Sequence, residues 1–216
     1  MTVKATSLFA LVAIWACTIL AIMAEPGAWW SIFFAFLASG SIAPRLWRSI
    51  GLSKLLAISG IWVGTAIAIA SDADATWASI FAFLSTGAVS FGVMRRDAEA
   101  LGAGIGVIWL IVGLVVGTDA DATWISIFAF LTAGALANSH GEWARGGSAI
   151  LWWGFAGAIM LIADGWYWLS VPAFLLSASS IGFADFELPR RIDWDLFERD
   201  EDEDRGPRVV NDTRTL

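Results

Sequence analysis

Eight of the fourteen tryptophans stand in two ladders that share one step. Trp15, Trp62, Trp109 and Trp153 are separated by 47, 47 and 44 residues, and so are Trp30, Trp77, Trp124 and Trp168. The register extends to whole segments. Residues 71–90 and 118–137 agree at 14 of 20 positions without a gap, including "DADATW" and the run "SIFAFL". A small residue keeps the same step at Gly40, Gly87, Gly134 and Ala178. A period of this size means tandem copies of one supersecondary unit. The chain therefore divides into units spanning about 1–46, 47–93, 94–140 and 141–184, with the fourth shortened by three residues.

Each unit contains two apolar segments joined by a short acidic link. Unit two reads "KLLAISGIWVGTAIAIA", then "SDAD", then "ATWASIFAFLSTGAVSFGVM". Four such units predict eight helices, at about 7–24, 28–43, 54–70, 75–93, 101–117, 122–138, 147–163 and 167–184. Long runs such as "SLFALVAIWACTILAIMA" carry no charge, and the chain is 58% hydrophobic and 15% charged. Ordinary soluble domains are about 45–50% apolar and about 25% charged. Too little polar sequence remains to cover eight such helices in water. The expected fold class is an all-α integral membrane protein with eight transmembrane helices as four tandem hairpins, although several segments lie near the lower length limit for a span. Lys4 followed by an apolar stretch also matches a signal peptide. Trp15 is in register with Trp62 and Trp109, so the segment is expected to be retained as the first helix of unit one.

Charge sets the expected orientation. The links within units carry Glu25, Asp72 and Asp74, Asp119 and Asp121, and Asp164, with no Lys or Arg. The links between units carry Arg45, Arg48 and Lys54, then Arg95 and Arg96, then Arg145. Positive residues beside helix ends mark the cytoplasmic side. The expectation is a multi-pass protein of the cell (plasma) membrane with both termini cytoplasmic and the acidic links outside. Beyond the membrane domain (1–184), residues 185–216 form an acidic cytoplasmic tail, since eleven of the 20 acids lie after Phe183. Its first part, "ELPRRIDWDLFER", is amphipathic enough for the membrane surface, and from Asp200 the charge density predicts disorder. Two lysines against eleven arginines, with so many acids, resemble the composition of a halophilic archaeon.

The acidic links admit two readings. Asp74 and Asp121 precede a helix, where Asp is a favoured N-cap. Trp30, Trp77, Trp124 and Trp168 would then be anchoring tryptophans at the outer interface. Alternatively, Glu25, Asp72, Asp74, Asp119, Asp121 and Asp164 converge on an acidic outer vestibule that concentrates cations. Repeats of two spans share one orientation, so a ring is permitted, and so is a row.

Within the helices no ionisable residue falls clearly inside a predicted span, which weighs against ion-coupled carriers. Small residues at Ala75, Ser79, Ala82 and Thr86, and at Ala122, Ser126, Ala129 and Ala133, make stripes suited to close helix packing. The pairs Gly60 with Gly64 and Gly113 with Gly117 suit it too. Trp15, Trp62, Trp109 and Trp153 lie near mid-helix. They are expected to fill space between hairpins, with each indole N–H seeking a hydroxyl or carbonyl. They also offer a lining for a flat apolar ligand. Pro172, in the column of Phe81 and Phe128, predicts a bend in the last helix. Cys17 is alone, His140 lies in a polar link with Glu142 and Arg145, and no cofactor, metal or nucleic-acid motif is present.

The two-helix unit, with "GIW" at Gly60–Trp62 and "ATW" at Ala75–Trp77, resembles small bacterial and archaeal membrane proteins built from SPW repeats. The Ser-Pro-Trp tripeptide itself is absent, and the resemblance implies a layout and no activity. The expected function is non-enzymatic: a structural or accessory membrane protein whose partners are the bilayer and a second membrane protein or another copy of itself. A channel or facilitator with an acidic mouth is the first alternative, and a binder of an apolar pigment or quinone is the second.

Overall fold

The apolar runs of the sequence form helices. The computed structural model of the protein is helical across the residues it describes, which are 5–45, 50–92, 99–139, 143–163 and 165–181. Among these the chain forms α1 (Ala5–Ala24), α2 (Ser31–Ile42), α3 (Gly51–Ser71), α4 (Ala78–Phe91), α5 (Glu99–Thr118), α6 (Ile125–Ala137), α7 (Trp143–Ile162) and α8 (Ser170–Ile181). Every even-numbered helix is entered through a short 3-10 turn: Pro26–Trp30, Ala73–Trp77, Ala120–Trp124 and Trp166–Leu169. Four segments are long and apolar enough to cross a membrane by length and composition: Ala5–Ala24, Gly51–Ser71, Glu99–Thr118 and Ala120–Ala137. The expected acidic tail, His140, Glu142 and Asp164 lie outside the described residues.

The helices pack in two layers. In one, α1 lies on α3, α3 on α5 and α5 on α7; in the other, α2 lies on α4, α4 on α6 and α6 on α8. Each odd helix also packs on the even helix that follows it. Among the described residues no contact of comparable extent joins α1 to α7 or α2 to α8. The hairpins therefore stand in a row.

The tightest seam joins α3 to α5, and glycine makes it possible. A Cβ on Gly102 would lie 1.9 Å from the Ser53 carbonyl oxygen, one on Gly60 2.2 Å from the Gly106 Cα, and one on Gly64 2.1 Å from the Trp109 carbonyl oxygen. A Cβ on Gly113 would meet the Gly64 carbonyl oxygen at 2.2 Å. The contacts climb along both helices in one direction, so the pair is parallel, backbone on backbone, as small residues allow. The even helices and the 3-10 turns that lead into them contribute the small-residue stripes. All eight residues from Ala75 to Thr86 and from Ala122 to Ala133 named above are buried. At the edge of the row the pattern relaxes: Ile32, in the column of Ser79, is exposed while Ser79 is buried.

Two expectations change. Pro172 is the third residue of α8, because that helix begins at Ser170. A proline in the first turn removes no N–H that the α-helix needs, so no bend is required there. Lys54, placed by its charge in a link, belongs to the first turn of α3 and is buried. Its ammonium donates to the carbonyl oxygens of Ser90 at 3.1 Å and Gly92 at 2.8 Å. These lie at the C-terminal end of α4, the negative end of the helix dipole, where a cation is favourable. Lys54 thus ties together the two helices of its hairpin.

Candidate interfacial cleft at the acidic turns

The acids of the turns fall into two columns with different roles. Glu25, Asp72 and Asp119 are the N-caps of their 3-10 turns, and each is in extended backbone. The Asp72 carboxylate accepts from the Asp74 N–H at 2.9 Å, and Asp119 accepts from the Asp121 N–H at 3.0 Å. Glu25 accepts from the Gly27 N–H at a longer 3.3 Å. This i to i+2 bond is the local turn that acidic side chains favour. The capping role assigned from sequence to Asp74 and Asp121 therefore belongs to the acids two residues earlier. The displacement follows from the 3-10 turn, which starts the helical backbone at Ala73 and Ala120 rather than after Asp74 and Asp121.

Asp74 and Asp121 are exposed, and their carboxylates accept no hydrogen bond among the described residues. The same column holds Gly27 in the first unit and Gly165 in the fourth. Gly165 leads its turn in the left-handed conformation, φ 77°, without a side-chain cap. Asp164 lies outside the described residues.

The turns are brought together in sequence order. The turn Pro26–Trp30 touches Ala73–Trp77, and that one touches Ala120–Trp124. The acids follow the row of hairpins rather than surrounding one axis. Between the first two turns lies a half-open cleft of about 470 Å³. Gly27 and Ala73 close in on each other there, since a Cβ on Gly27 would lie 3.3 Å from that of Ala73. The aromatic walls are Trp30, Phe33, Phe34 and Trp77, and the polar groups are Asp74 and Thr76. Both tryptophans are largely exposed, Trp77 by 68%.

The tryptophan ladders separate cleanly. Trp30, Trp77, Trp124 and Trp168 are exposed at the turn end, and Trp62, Trp109 and Trp153 are fully buried. Trp15, in the first unit, is only half-buried. The Trp62 Nε1 donates to Thr86 Oγ1 at 3.0 Å, and the Trp153 Nε1 donates to Thr132 Oγ1 at 3.1 Å. The Trp109 Nε1 is buried without a partner, and so is the Ser85 hydroxyl. Trp62 also borders a narrow interior gap with Cys17, Thr18 and Ser31 of the first hairpin. The Trp62 bond stays within its hairpin, from α3 to α4, and the Trp153 bond crosses from α7 to α6 of the preceding one; two of the three indoles thus find the hydroxyl that buried indoles need.

The cleft was not visible in the repeat pattern. Its distinguishing residues, Gly27 and Phe33, are where unit one departs from units two and three, which have Asp74 and Asp121, and Ile80 and Ile127. A search for differences within the columns, rather than agreement, would have found it. Among the described residues no group of three or more potential metal-ligating acids, His or Cys comes together. No protein-family model matches the chain, and neither a curated protein nor a solved structure matches it.

Proposed function

We propose that the chain is an eight-span protein of the plasma membrane, built as four tandem hairpins with both termini cytoplasmic, and that its role is structural or accessory rather than catalytic. The observation that carries this reading is the backbone-to-backbone seam between α3 and α5. Two neighbouring units meet there with no room for a side chain, as suits a fixed scaffold more than a moving transporter.

The short even helices are compatible with spanning because of their 3-10 entrances. A 3-10 turn rises roughly 2.0 Å per residue against roughly 1.5 Å in an α-helix. Five 3-10 residues and fourteen α residues give the second unit's Ala73–Phe91 segment a reach of roughly 31 Å. A bilayer core is about 30 Å thick. The exposed tryptophans at the turn end fit the outer interface. The acidic, lysine-poor composition fits a high-salt host. A vestibule would need the acids around one axis, whereas the turns run in line. Binding of an apolar ligand is the second reading, and the aromatic cleft favours it.

The topology is tested with single cysteines in a Cys17→Ala background. Thr118→Cys at the end of α5 and Ala120→Cys in the turn that follows should react with an impermeant thiol reagent added outside intact cells. Ser49→Cys, in a basic link, and Gly146→Cys, in the first turn of α7, should not. The opposite pattern rejects the orientation. The scaffold reading is tested in proteoliposomes, where the parent protein should carry no cation flux; robust cation-selective flux would overturn it.

A further inference from the structure

The cleft between the first two turns combines three features. It has enough volume for a small ligand, since ligand sites commonly measure about 300–1,000 Å³, and it is walled by four aromatic rings. Its one charged lining residue is Asp74. The neighbouring acids Glu25 and Asp72 are engaged as caps, whereas the Asp74 carboxylate takes no hydrogen bond among the described residues. No Lys or Arg occurs in either turn.

That chemistry selects a ligand. The negative faces of Trp and Phe rings attract an organic cation, and tryptophan does so most strongly. A carboxylate beside the rings supplies the opposite charge. An anion would meet Asp74 unfavourably, and a bare metal ion would find one carboxylate and a hydrocarbon wall. Phe33 and Phe34 continue from the cleft onto α2, where the next exposed ring, Phe36, gives an apolar track along the helix.

We propose that this cleft binds the ammonium head of a membrane amphiphile, with Trp30, Trp77 and Asp74 around the cation and the first part of the chain along Phe33 and Phe34. The site rests on the membrane reading above, because the amphiphile enters from the bilayer. It lies between units one and two. Gly27 stands where units two and three have the second acid of the turn, and Phe33 adds a ring to the wall where they have isoleucine.

The test is isothermal titration of the full chain in neutral maltoside micelles with dodecyltrimethylammonium, using dodecyl sulfate and tetramethylammonium in parallel. Partition into the micelle is subtracted with protein-free micelles. One saturable site is expected for dodecyltrimethylammonium. Asp74→Asn and Trp77→Leu should each weaken it about tenfold, as loss of a cation–π or opposite-charge contact implies. Glu99→Gln, which removes one charge at the far end of the bundle, should leave it unchanged. If Asp74→Asn fails to fold, Asp74→Glu, which should retain binding, and Trp77→Leu decide. Equal affinity in Asp74→Asn and the parent overturns the site, as does equal affinity for dodecyl sulfate or the absence of saturable binding. Equally tight tetramethylammonium binding overturns the amphiphile in favour of a soluble cation. Resistance of the protein to alkaline extraction from membranes is scored separately. An extraction-resistant protein without ammonium binding loses only the site, and an extractable one loses the membrane reading itself.

Discussion

A glycine matters here for what stands opposite it, and recurrence is a poor guide to that. The column Gly40, Gly87 and Gly134 keeps the repeat step, yet a Cβ at each would meet nothing within 4 Å. Gly102 is outside that column and faces the Ser53 carbonyl oxygen. Gly102→Ala should therefore force α3 and α5 apart and cost about 1–3 kcal/mol or more, as overpacking does. Gly87→Ala should be neutral or stabilise by up to about 1 kcal/mol through helix propensity. Thermal unfolding in maltoside measures both. The buried indoles give a second residue-scale contrast. Trp62→Phe breaks a hydrogen bond to Thr86, whereas Trp109→Phe removes a buried donor that has no partner. Both lose similar volume. Trp109→Phe should therefore be the milder change by about 1 kcal/mol, the usual net value of such a bond. Equal losses would mean that Trp109 has an acceptor, with Ser85 the first to examine.

At the scale of the element, the turns make a prediction that sequence reading alone assigned to the wrong acids. Asp72→Ala should cost about 1 kcal/mol, and Asp72→Asn should cost little because Asn caps as well as Asp. Asp74→Ala should leave stability close to the parent value, since its carboxylate holds nothing in the turn. A larger loss at Asp74 than at Asp72 would reverse the assignment. The eight helices, their order and the acidic turns were legible in the sequence because hydrophobic runs and a fixed period report on burial directly. The caps were misassigned because the repeat "DADATW" does not say whether the helical backbone begins before or after the second acid, and a 3-10 entrance settles that. Lys54 resembles a link charge in the sequence for a related reason. Its carbonyl partners, at Ser90 and Gly92, lie more than 35 residues away, and no local pattern shows the end of one helix meeting the start of another. The cleft was hidden in turn because it depends on two turns from different units touching.

For the whole molecule, the two-layer row makes the units unequal. Units two and three share the glycine seam, while units one and four each have a neighbour on one side only. A chain starting at residue 47 retains the seam and should stay helical and monodisperse in maltoside. A chain lacking residues 47–93 loses it and should aggregate. Circular dichroism and size-exclusion chromatography distinguish the two, and a monodisperse second deletion would show that the seam is dispensable. Stability in such an array is approximately a sum of unit and neighbour terms, as in solenoids. A ring would require each member to turn through a fixed angle so that the last met the first. A row imposes no such closure, so geometry does not count the copies. Duplication can add a hairpin at either end, and the last one can drift. Here the fourth unit is three residues short and its turn is led by Gly165 rather than an acid, and the helices before it keep their packing.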